Sequence, residues 1–185
     1  LVDGTDIREV NQHELREKIG YVPQKGVLFS GTIESNLKYA DEKASEEEIE
    51  RAAEIAQAAE FITAKEEGYE APISQGGTNV SGGQKQRLSI ARALLKKPKI
   101  LLFDDSFSAL DFKTDAALRR KLKQEAGDST MIIVGQRIAT IKNADQILVL
   151  DEGNLVGIGK HRELMKSCQI YREIAQSQLS EAELA

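Results

Sequence analysis

The sequence contains one cysteine, Cys168, in 185 residues. A single thiol cannot form a disulfide within the chain, which excludes the disulfide-rich secreted scaffolds and favours a cytosolic setting. A lone cysteine near the end of a chain is most simply a small packed or surface residue. We therefore assign Cys168 no functional role.

Long apolar runs, a signal peptide and a basic excess are absent as well. A membrane-spanning helix needs about 18 apolar residues, whereas the apolar runs here, such as "ILLF" and "MIIV", are short. Lys and Arg total 25 against 30 Asp and Glu, so the net charge is −5 and a nucleic-acid partner is disfavoured. The remaining composition, with 41% hydrophobic residues, is that of an ordinary globular domain.

Helical patterns dominate the first half of the chain. The segment "NQHELREKIG", in which Leu15 and Ile19 share one helix face, predicts a short helix that ends at Gly20. The following "YVP" predicts a brief strand.

Residues 44–62 predict one long helix. Ser45 and Glu48 form the capping box that opens it, and the acidic first turn suits the positive end of the helix dipole. Its apolar stripe consists of Ile49, Ala52, Ala53 and Ala56. The spacing of this stripe predicts that one face of the helix is buried.

From Lys99 the pattern changes to strands that alternate with helices. Three continuous apolar runs predict strands: "KILLFD", "TMIIV" and "QILVL". Residues 113–126 and 136–144 predict the helices between them. Unbroken apolar strands are typical of a parallel α/β sheet that is buried on both faces. A hairpin turn is predicted at residues 152–154, and a helical tail from His161.

A glycine-containing motif, "SGGQ" at residues 81–84, directly precedes a helix-periodic stretch. The apolar positions of that stretch are Leu88, Ala91, Leu94 and Leu95. A helix N-terminus offers unpaired N–H groups and partial positive charge, and glycines let a phosphate approach the backbone. Ser81 can cap the helix or hydrogen-bond a phosphate oxygen. The residues alone leave two interpretations open, an anion site and a plain helix cap.

A second motif, "KILLFDD", places Asp104 at the end of an apolar strand. Ligands bind beyond the carboxyl ends of parallel strands, so Asp104 is a candidate to hold Mg²⁺, usually through water. The alternative is that Asp104 and Asp105 simply begin a loop.

Together, the order and spacing of the motifs resemble the nucleotide-binding domain of an ATP-binding cassette (ABC) transporter over nearly the whole chain. "VSGGQKQRLSIARAL" is similar to the ABC signature, which is highly specific to this family. "ILLFD" resembles the Walker B motif, and Gln24 in "YVPQ" stands at the glutamine of the Q-loop.

Further segments extend the resemblance towards the C-terminus. Ser108 to Asp111, "SALD", resemble the D-loop, and Gln136 in "IIVGQR" stands where the family has its switch histidine. "ADQILVLDEGNLVGIGKHREL" resembles the C-terminal hairpin of the family and the helix after it. "GVLFSGTIESNL" resembles the exporter type, in which transmembrane and ATPase domains commonly share one polypeptide.

The resemblance implies an α/β fold, with a P-loop NTPase-like ABC ATPase core of parallel sheet and flanking helices plus an α-helical signature subdomain. It divides the chain into residues 1–23 as a remnant of the core, 24–97 as the Q-loop and signature subdomain, and 98–185 as the C-terminal core. In the family, two such domains enclose two ATP molecules head to tail. Each signature grips the γ-phosphate of an ATP that the partner domain mainly holds.

The resemblance also implies a role for each matching residue, with ATP and Mg²⁺ as the cofactors. The catalytic positions are Asp105 and Gln136, and the Mg²⁺ positions are Asp104 and Gln24. The partner's ATP would be contacted by Ser81, Gly82, Gly83 and Gln84. The D-loop positions are Ser108 and Asp111. Gln24 would also couple the site to the membrane domains, and Asp111 would signal across the dimer.

The Walker A motif, G-x-x-x-x-G-K-[ST], does not occur in the sequence. "GVLFSGT" has the two glycines but a threonine in place of the lysine, and "NLVGIGKH" lacks the first glycine and the final hydroxyl residue. In the family this motif lies N-terminal to "LVDGTDI". We therefore expect that a segment with Walker A precedes Leu1 in the native protein, so that the N-terminal part of the core is missing here.

Three further departures concern the site. Asp105 replaces the catalytic glutamate of the family with a side chain that is one methylene shorter, and a misplacement of about 1 Å can cost on the order of 10²-fold in rate. Gln136 can hydrogen-bond a γ-phosphate but cannot become cationic or relay a proton, as histidine can. Gln75 stands where exporters usually have an acidic residue, in the region that couples to the membrane domains.

These departures predict a weak or non-hydrolytic site on a chain whose signature is intact. That is the pattern of one half of a heterodimeric, multidrug-type exporter at the cytoplasmic face of the cell membrane. The chain alone would be inactive, and its partners would be a second, non-identical nucleotide-binding domain and transmembrane domains. One alternative is a non-hydrolytic regulatory module that only dimerises or gates on nucleotide binding. A soluble ABC ATPase acting on DNA or ribosomes is disfavoured by the acidic balance and the absence of long insertions.

Overall fold

The computed structural model describes residues 1–125, 127 and 129–179. The chain forms two compact units, Leu1–Val134 and Gly135–Ala185. Two predictions lie partly outside the described residues: the predicted helix over 113–126 at its last residue, and the predicted helical tail over residues 180–185. In the described ranges, no helix is both long and apolar enough to cross a membrane.

The first unit alternates helices with short strands. Its elements are α1 (Gln12–Glu17), β1 (Ile19–Val22), β2 (Gly31–Thr32), α2 (Ile33–Lys38), α3 (Glu46–Ile55), α4 (Ala59–Thr63), β3 (Pro72–Ile73), α5 (Gly82–Leu95), β4 (Ile100–Asp104), α6 (Phe112–Glu125) and β5 (Thr130–Val134). Short 3₁₀ turns cover Gly68–Glu70 and Gln75–Gly77. The predicted α/β class is confirmed.

A parallel sheet in the order β1–β4–β5 lies at the centre of this unit. Leu101 of β4 pairs with Gly20 of β1 on one side and with Met131 of β5 on the other. Leu101 and Phe103 are buried, whereas Met131 and Ile132 are exposed. The predicted parallel sheet is therefore confirmed, but burial on both faces is wrong for β5, because an apolar run identifies a strand without supplying the layer that covers it.

The first helix ends earlier than its pattern predicts. Asn11 caps α1, which ends at Glu17, so the predicted end at Gly20 is wrong. Gly20 lies inside β1, where a Cβ atom would come within 2.7 Å of the Pro98 Cγ atom. Glycine at this position therefore serves the close approach of β1 to the segment before β4 and not a helix C-cap.

The helix predicted over residues 44–62 is interrupted. The capping box of Ser45 and Glu48 opens α3 as predicted. Gln57 then adopts the left-handed conformation with a φ of 58°, and the Ala58 N–H donates to the Ala53 carbonyl over 2.7 Å. This is a Schellman ending, which is usually formed by glycine, so no local feature of residues 44–62 marks the break before α4.

The second unit is built on a hairpin and two helices. Its elements are α7 (Ile138–Ile141), β6 (Ile147–Asp151), β7 (Asn154–Gly159), α8 (His161–Ser167) and α9 (Gln169–Gln178). The hairpin is confirmed: Glu152 and Gly153 have φ values of 46° and 80°, as a type I′ turn requires. The predicted helix over 136–144 is present only as the single turn α7.

The strand β6 does not join the parallel sheet. It pairs antiparallel with β7 in a separate two-stranded sheet, so the prediction that its apolar run belongs to the parallel sheet is wrong. The tight turn after Asp151 places β7 beside β6 in the opposite direction, so the partner of β6 is antiparallel. One face of the hairpin, with Ile147 and Val149, packs with Leu164 and Tyr171 of the two helices that follow.

Candidate functional site

The carboxyl end of β4 carries Asp104, next to the strand that leads to Gln24. The Tyr21 hydroxyl donates a hydrogen bond of 3.0 Å to Asp104 Oδ2, and this bond raises the pKa of Tyr21 above its ordinary value. Buried Ser106 donates from Oγ to the Val22 carbonyl over 2.8 Å, which attaches the loop after Asp104 to β1. Sequence reasoning missed Tyr21, because only the register of β1 on β4 brings its side chain to Asp104.

Asp105 occupies the turn directly after β4, with a left-handed φ of 44°. Its N–H donates to the Val134 carbonyl over 3.0 Å, which attaches this turn to the end of β5. Gln24 Nε2 donates to Asp105 Oδ2 over 3.2 Å. The short polar side chain of aspartate tolerates this backbone region better than most residues. The structure therefore brings Gln24 and Asp105 together, and the glutamine contacts Asp105 and not Asp104.

The D-loop continues from the same turn. Ser108 donates from Oγ to the Asp105 carbonyl over 2.7 Å. Asp111 accepts from the Thr114 N–H at 2.9 Å and from Thr114 Oγ1 at 2.7 Å, and so caps the start of α6. These two bonds hold the pKa of Asp111 below its ordinary value. Both D-loop side chains thus have local structural partners, and the role of Asp111 in signalling across a dimer stays a prediction.

The signature residues form the N-terminus of α5. Ser81 and Gln84 make a reciprocal capping box: the Ser81 N–H donates to Gln84 Oε1 over 2.9 Å, and the Gln84 N–H donates to Ser81 Oγ over 3.2 Å. The predicted cap is therefore confirmed. In the described part of the chain, the N–H groups of Gly82 and Gly83 have no acceptor. Two donors at the positive end of a fourteen-residue helix remain available to an anion.

The two signature glycines differ in their surroundings. A Cβ atom on Gly82 would meet nothing within 4 Å, whereas one on Gly83 would lie 3.4 Å from the Ala109 carbonyl oxygen of the D-loop. Packing within this chain therefore does not require glycine at position 82. A glycine that its own chain does not need is consistent with close approach by something outside the chain.

The segment around Gln24, residues 23–27, is anchored along α5. Gln86, which is buried, donates from Nε2 to the Pro23 carbonyl over 2.9 Å, and Arg92 donates from Nη2 to the Val27 carbonyl over 2.8 Å. A Cβ atom on Gly26 would lie 2.8 Å from the Lys85 carbonyl oxygen. The Q-loop and the signature helix therefore share one packed backbone contact, which the sequence did not predict.

Arg87 joins the signature helix to the break between α3 and α4. Its Nη1 donates to the Gln57 carbonyl over 2.7 Å, and its guanidinium carbon lies 4.7 Å from the centre of the Phe61 ring. Burial lowers the pKa of Arg87, although Asp111 and Glu60 oppose that effect. The sequence predicted no separate role for Arg87, because the Gln57 carbonyl that it binds lies 30 residues earlier in the chain.

Gln136 lies in the second unit, between β5 and α7 in the chain. Its carbonyl accepts a hydrogen bond of 2.8 Å from Gln178 Nε2 of α9. Gln75, in the first unit, is exposed in the 3₁₀ turn before the signature. The implied roles of both glutamines stay predictions.

The donor set suits a magnesium ion that is shared with a phosphate ligand. Among the described residues, no group of three or more His, Cys, Asp or Glu side chains could hold a metal ion by itself. Mg²⁺ is usually bound through one or two carboxylates together with water and substrate phosphates. The Asp104 carboxylate at the end of β4 and the Gln24 side chain, which hydrogen-bonds the neighbouring Asp105, fit that arrangement. They do not fit a cage made by the protein alone.

An α/β unit with a capped glycine-rich helix and carboxylates at a strand end is the architecture of a nucleotide-binding protein. Comparison with known proteins identifies its family. The model of the family described as ABC transporter matches residues 1–108. This chain therefore belongs to the ABC transporter family.

Individual relatives agree with this assignment. The chain is 46% identical over 181 residues to a Mycobacterium bovis protein described as an uncharacterized ABC transporter ATP-binding protein, covering 96% of this chain and 31% of the relative. It is 42% identical over 180 residues to a Rickettsia conorii protein whose name includes the words export ATP-binding/permease protein, covering 97% of this chain and 31% of the relative. The chain thus spans about a third of the length of these relatives.

A solved structure shows the same fold. A bacterial Atm1-family ABC exporter with ATP bound matches with a TM-score of 0.94 and 41% identity. The match covers 98% of this chain and 32% of the exporter chain. The predicted resemblance to an exporter-type ABC ATPase is therefore confirmed in family and fold.

Proposed function

We propose that residues 1–185 belong to the nucleotide-binding domain of an ABC exporter that couples ATP binding and hydrolysis to transport across a membrane. The observation that carries this proposal is the start of α5, where Gly82 and Gly83 offer two unpartnered N–H groups. Position 82 is open to approach from outside the chain. A γ-phosphate bound mainly by a second domain is the ligand that suits these donors.

The carboxylates at the end of β4 would serve the ATP of the chain's own site. Asp104 would hold Mg²⁺ together with the phosphates, and Tyr21 would orient the Asp104 carboxylate by its hydrogen bond. Asp105 would orient the attacking water, and Gln24 would position Asp105. The magnesium ion, when bound, would neutralise charge that develops on the phosphates. Gln136 would hydrogen-bond the γ-phosphate as a neutral donor.

The substitutions at two of these positions support an asymmetric dimer. Asp105 is shorter than the glutamate of the family, and Gln136 cannot carry a proton. We infer that this chain's own site is slow or non-hydrolytic and that its intact signature completes a competent site on a non-identical partner. The same two residues favour a second candidate, a regulatory module that closes on nucleotide without hydrolysis.

The exposure of several apolar side chains supports the proposal that this chain is part of a longer, membrane-associated protein. Val27, Phe29 and Tyr39 are exposed beside the Q-loop segment, and the Phe29 and Tyr39 rings lie 4.8 Å apart. This aromatic patch would receive a transmembrane domain at the cytoplasmic face of the membrane. On the hairpin, Leu148 and Leu150 are also exposed and would be covered by other parts of the protein.

A single substitution tests the signature role in the native protein that contains this segment. Gly82→Ala adds only a methyl group at a site with nothing within 4 Å, so the fold should persist. ATP hydrolysis by the intact dimer should fall by on the order of 10²-fold, because the phosphate would be displaced by about 1 Å. Glu46→Ala, at the first residue of α3, is the matched control. Unchanged hydrolysis in Gly82→Ala would refute the proposed phosphate contact.

A further inference from the structure

The last helix of the second unit contacts the segment that contains Gln136. Gln178, near the end of α9, makes two hydrogen bonds with that segment. Its Nε2 donates to the Gln136 carbonyl over 2.8 Å, and its Oε1 accepts from the Ile138 N–H over 2.8 Å. The two bonds lie on either side of Arg137, so one side chain holds the backbone of three consecutive residues.

These two bonds require a side chain that can donate and accept at the same time. A backbone carbonyl can only accept and a backbone N–H can only donate, so the partner side chain must do both at once. Glutamine meets this need, whereas glutamate can accept but cannot donate. Ile138 is 2% exposed, and a buried N–H without a partner carries a desolvation penalty. Gln178 therefore supplies an acceptor that the Ile138 amide would otherwise lack.

The helix that carries Gln178 is itself firmly packed. Tyr171 and Ala175 of α9 and Leu179 after it are buried in the core of the second unit. The Tyr171 hydroxyl lies 2.8 Å from His161 Nδ1, which links α9 to the start of α8. A side chain on such a helix is a rigid support and restricts the backbone that it binds.

We propose that Gln178 is a positioning residue that holds the Gln136 segment in the conformation in which Gln136 reaches the γ-phosphate. This inference rests on the proposed role of Gln136 in nucleotide binding. It makes the C-terminal helix part of the nucleotide machinery, since a shift of α9 would move Gln136 through the two bonds. Both hydrogen bonds of the Gln178 side chain go to the segment that contains Gln136, so its effect would pass through Gln136.

The first test measures the hydrogen bond itself. In Gln178→Ala, amide exchange at Ile138 should become about three- to tenfold faster, as expected from the loss of one hydrogen bond. Gln176→Ala is the matched control, because Gln176 is an exposed glutamine of α9 with no side-chain hydrogen bond in the described chain. Equal exchange rates at Ile138 in Gln178→Ala and Gln176→Ala would overturn the inference.

The second test measures nucleotide preference in the native protein. Only ATP has a γ-phosphate, so Gln178→Ala should lower the affinity for ATP by about three- to tenfold and leave the affinity for ADP unchanged. Gln178→Glu should resemble Gln178→Ala, because it cannot donate to the Gln136 carbonyl. In a Gln136→Ala background, Gln178→Ala should have no further effect, since residues that act through one another are not additive.

The outcomes separate this inference from the proposed function. If Gln136→Ala loses preference for ATP while Gln178→Ala keeps it, only the role of Gln178 is overturned. Equal loss of ATP and ADP affinity in Gln178→Ala would indicate general destabilisation and would also overturn that role. If Gln136→Ala binds ATP as the unmodified protein does, the proposed contact of Gln136 fails and the inference fails with it.

Discussion

Gln24 and Asp105 are joined by a hydrogen bond of 3.2 Å from the Q-loop amide to the carboxylate that follows β4. The bond engages the Asp105 Oδ2 atom and leaves the Gln24 amide oxygen available as an acceptor or ligand. Gln24 also lies within the segment, residues 23–27, that Gln86 and Arg92 anchor to α5. A movement of the signature helix would therefore shift Gln24 and, through this bond, Asp105. The bond therefore connects the Asp105 carboxylate to a segment that packs on α5, the helix proposed to contact a partner's ATP.

Restoring the family's residues at two positions should raise hydrolysis at the chain's own site. Asp105→Glu lengthens the carboxylate side chain by one methylene, and Gln136→His adds a group that can carry a proton. We expect single-turnover ATP hydrolysis at this site of the native protein to increase by on the order of 10²-fold, the rate cost attached to a misplacement of about 1 Å.

The control for this double variant is Asp105→Asn with Gln136→His. Asparagine keeps the size of aspartate but cannot act as a base, so hydrolysis should stay at or below its original rate. Equal rates in the two double variants would show that the length of the carboxylate side chain does not limit this site, and the degenerate-site hypothesis would have to be abandoned.

The hydroxyl of Tyr21 should affect magnesium dependence. Tyr21→Phe removes the 3.0 Å bond to Asp104 and keeps the ring, which is exposed, so the fold should be unchanged. Without this bond the Asp104 carboxylate is less well oriented, and half-saturation of ATP binding should need about three- to tenfold more Mg²⁺. Tyr39→Phe is the matched control, because Tyr39 is an exposed tyrosine in the aromatic patch. A magnesium requirement that is the same in both variants would contradict the role of Tyr21.

Local patterns predicted the parts of this structure that depend on neighbours in sequence. The capping box at Ser45, the helix cap at Ser81 and the hairpin turn after Asp151 each require only a few adjacent residues, and all three are present. The strands β4, β5 and β6 were predicted for the same reason, since an apolar run is a local feature of the sequence. The resemblance to the ABC family then assigned functional roles to Ser81 and Asp104. Composition and spacing alone had left two interpretations open for each of these residues.

The features that sequence reasoning missed depend on distant partners. Tyr21 reaches Asp104 across 83 residues through the register of two strands. The break at Gln57 places a glutamine where glycine is usual, and Arg87 binds the carbonyl of that residue from 30 positions away. The assignment of β6 to the parallel sheet was wrong because an apolar run does not specify which sheet a strand joins. For Tyr21 and Arg87 the deciding interaction is tertiary, and a short window of sequence does not contain it.

Arg87 should contribute to stability through the Gln57 carbonyl. Arg87→Ala removes a charge-assisted hydrogen bond of 2.7 Å and the stacking on Phe61, so the free energy of unfolding should fall by about 2 kcal/mol. Urea denaturation would measure the change. Arg120→Ala, an exposed arginine of α6, should change the stability little. Arg87→Lys should recover only part of the loss, because lysine lacks the planar fork; full recovery would contradict the proposed geometry.

Stability of the second unit should depend on the protonation of His161. Burial, with smaller contributions from Lys142 and Arg162, lowers the pKa of His161 below its ordinary value near 6.5. Neutral His161 can accept the hydrogen bond from Tyr171, whose hydroxyl lies 2.8 Å from Nδ1. Because the unfolded chain takes up the proton first as pH falls, this stabilisation is complete above the ordinary pKa. It is lost as pH falls through the lowered pKa of the folded state.

Unfolding measured between pH 8 and pH 5 would test the sign of this effect. The free energy of unfolding should decrease towards about pH 5, because His161 binds a proton more readily in the unfolded chain than in the folded state. His161→Asn keeps an acceptor for the Tyr171 hydroxyl but does not titrate, so that part of the pH dependence should disappear. His13→Asn, at an exposed position in α1, should leave the profile as it is. A profile unchanged by His161→Asn would mean that α9, and with it the support for Gln178, does not depend on the charge of His161.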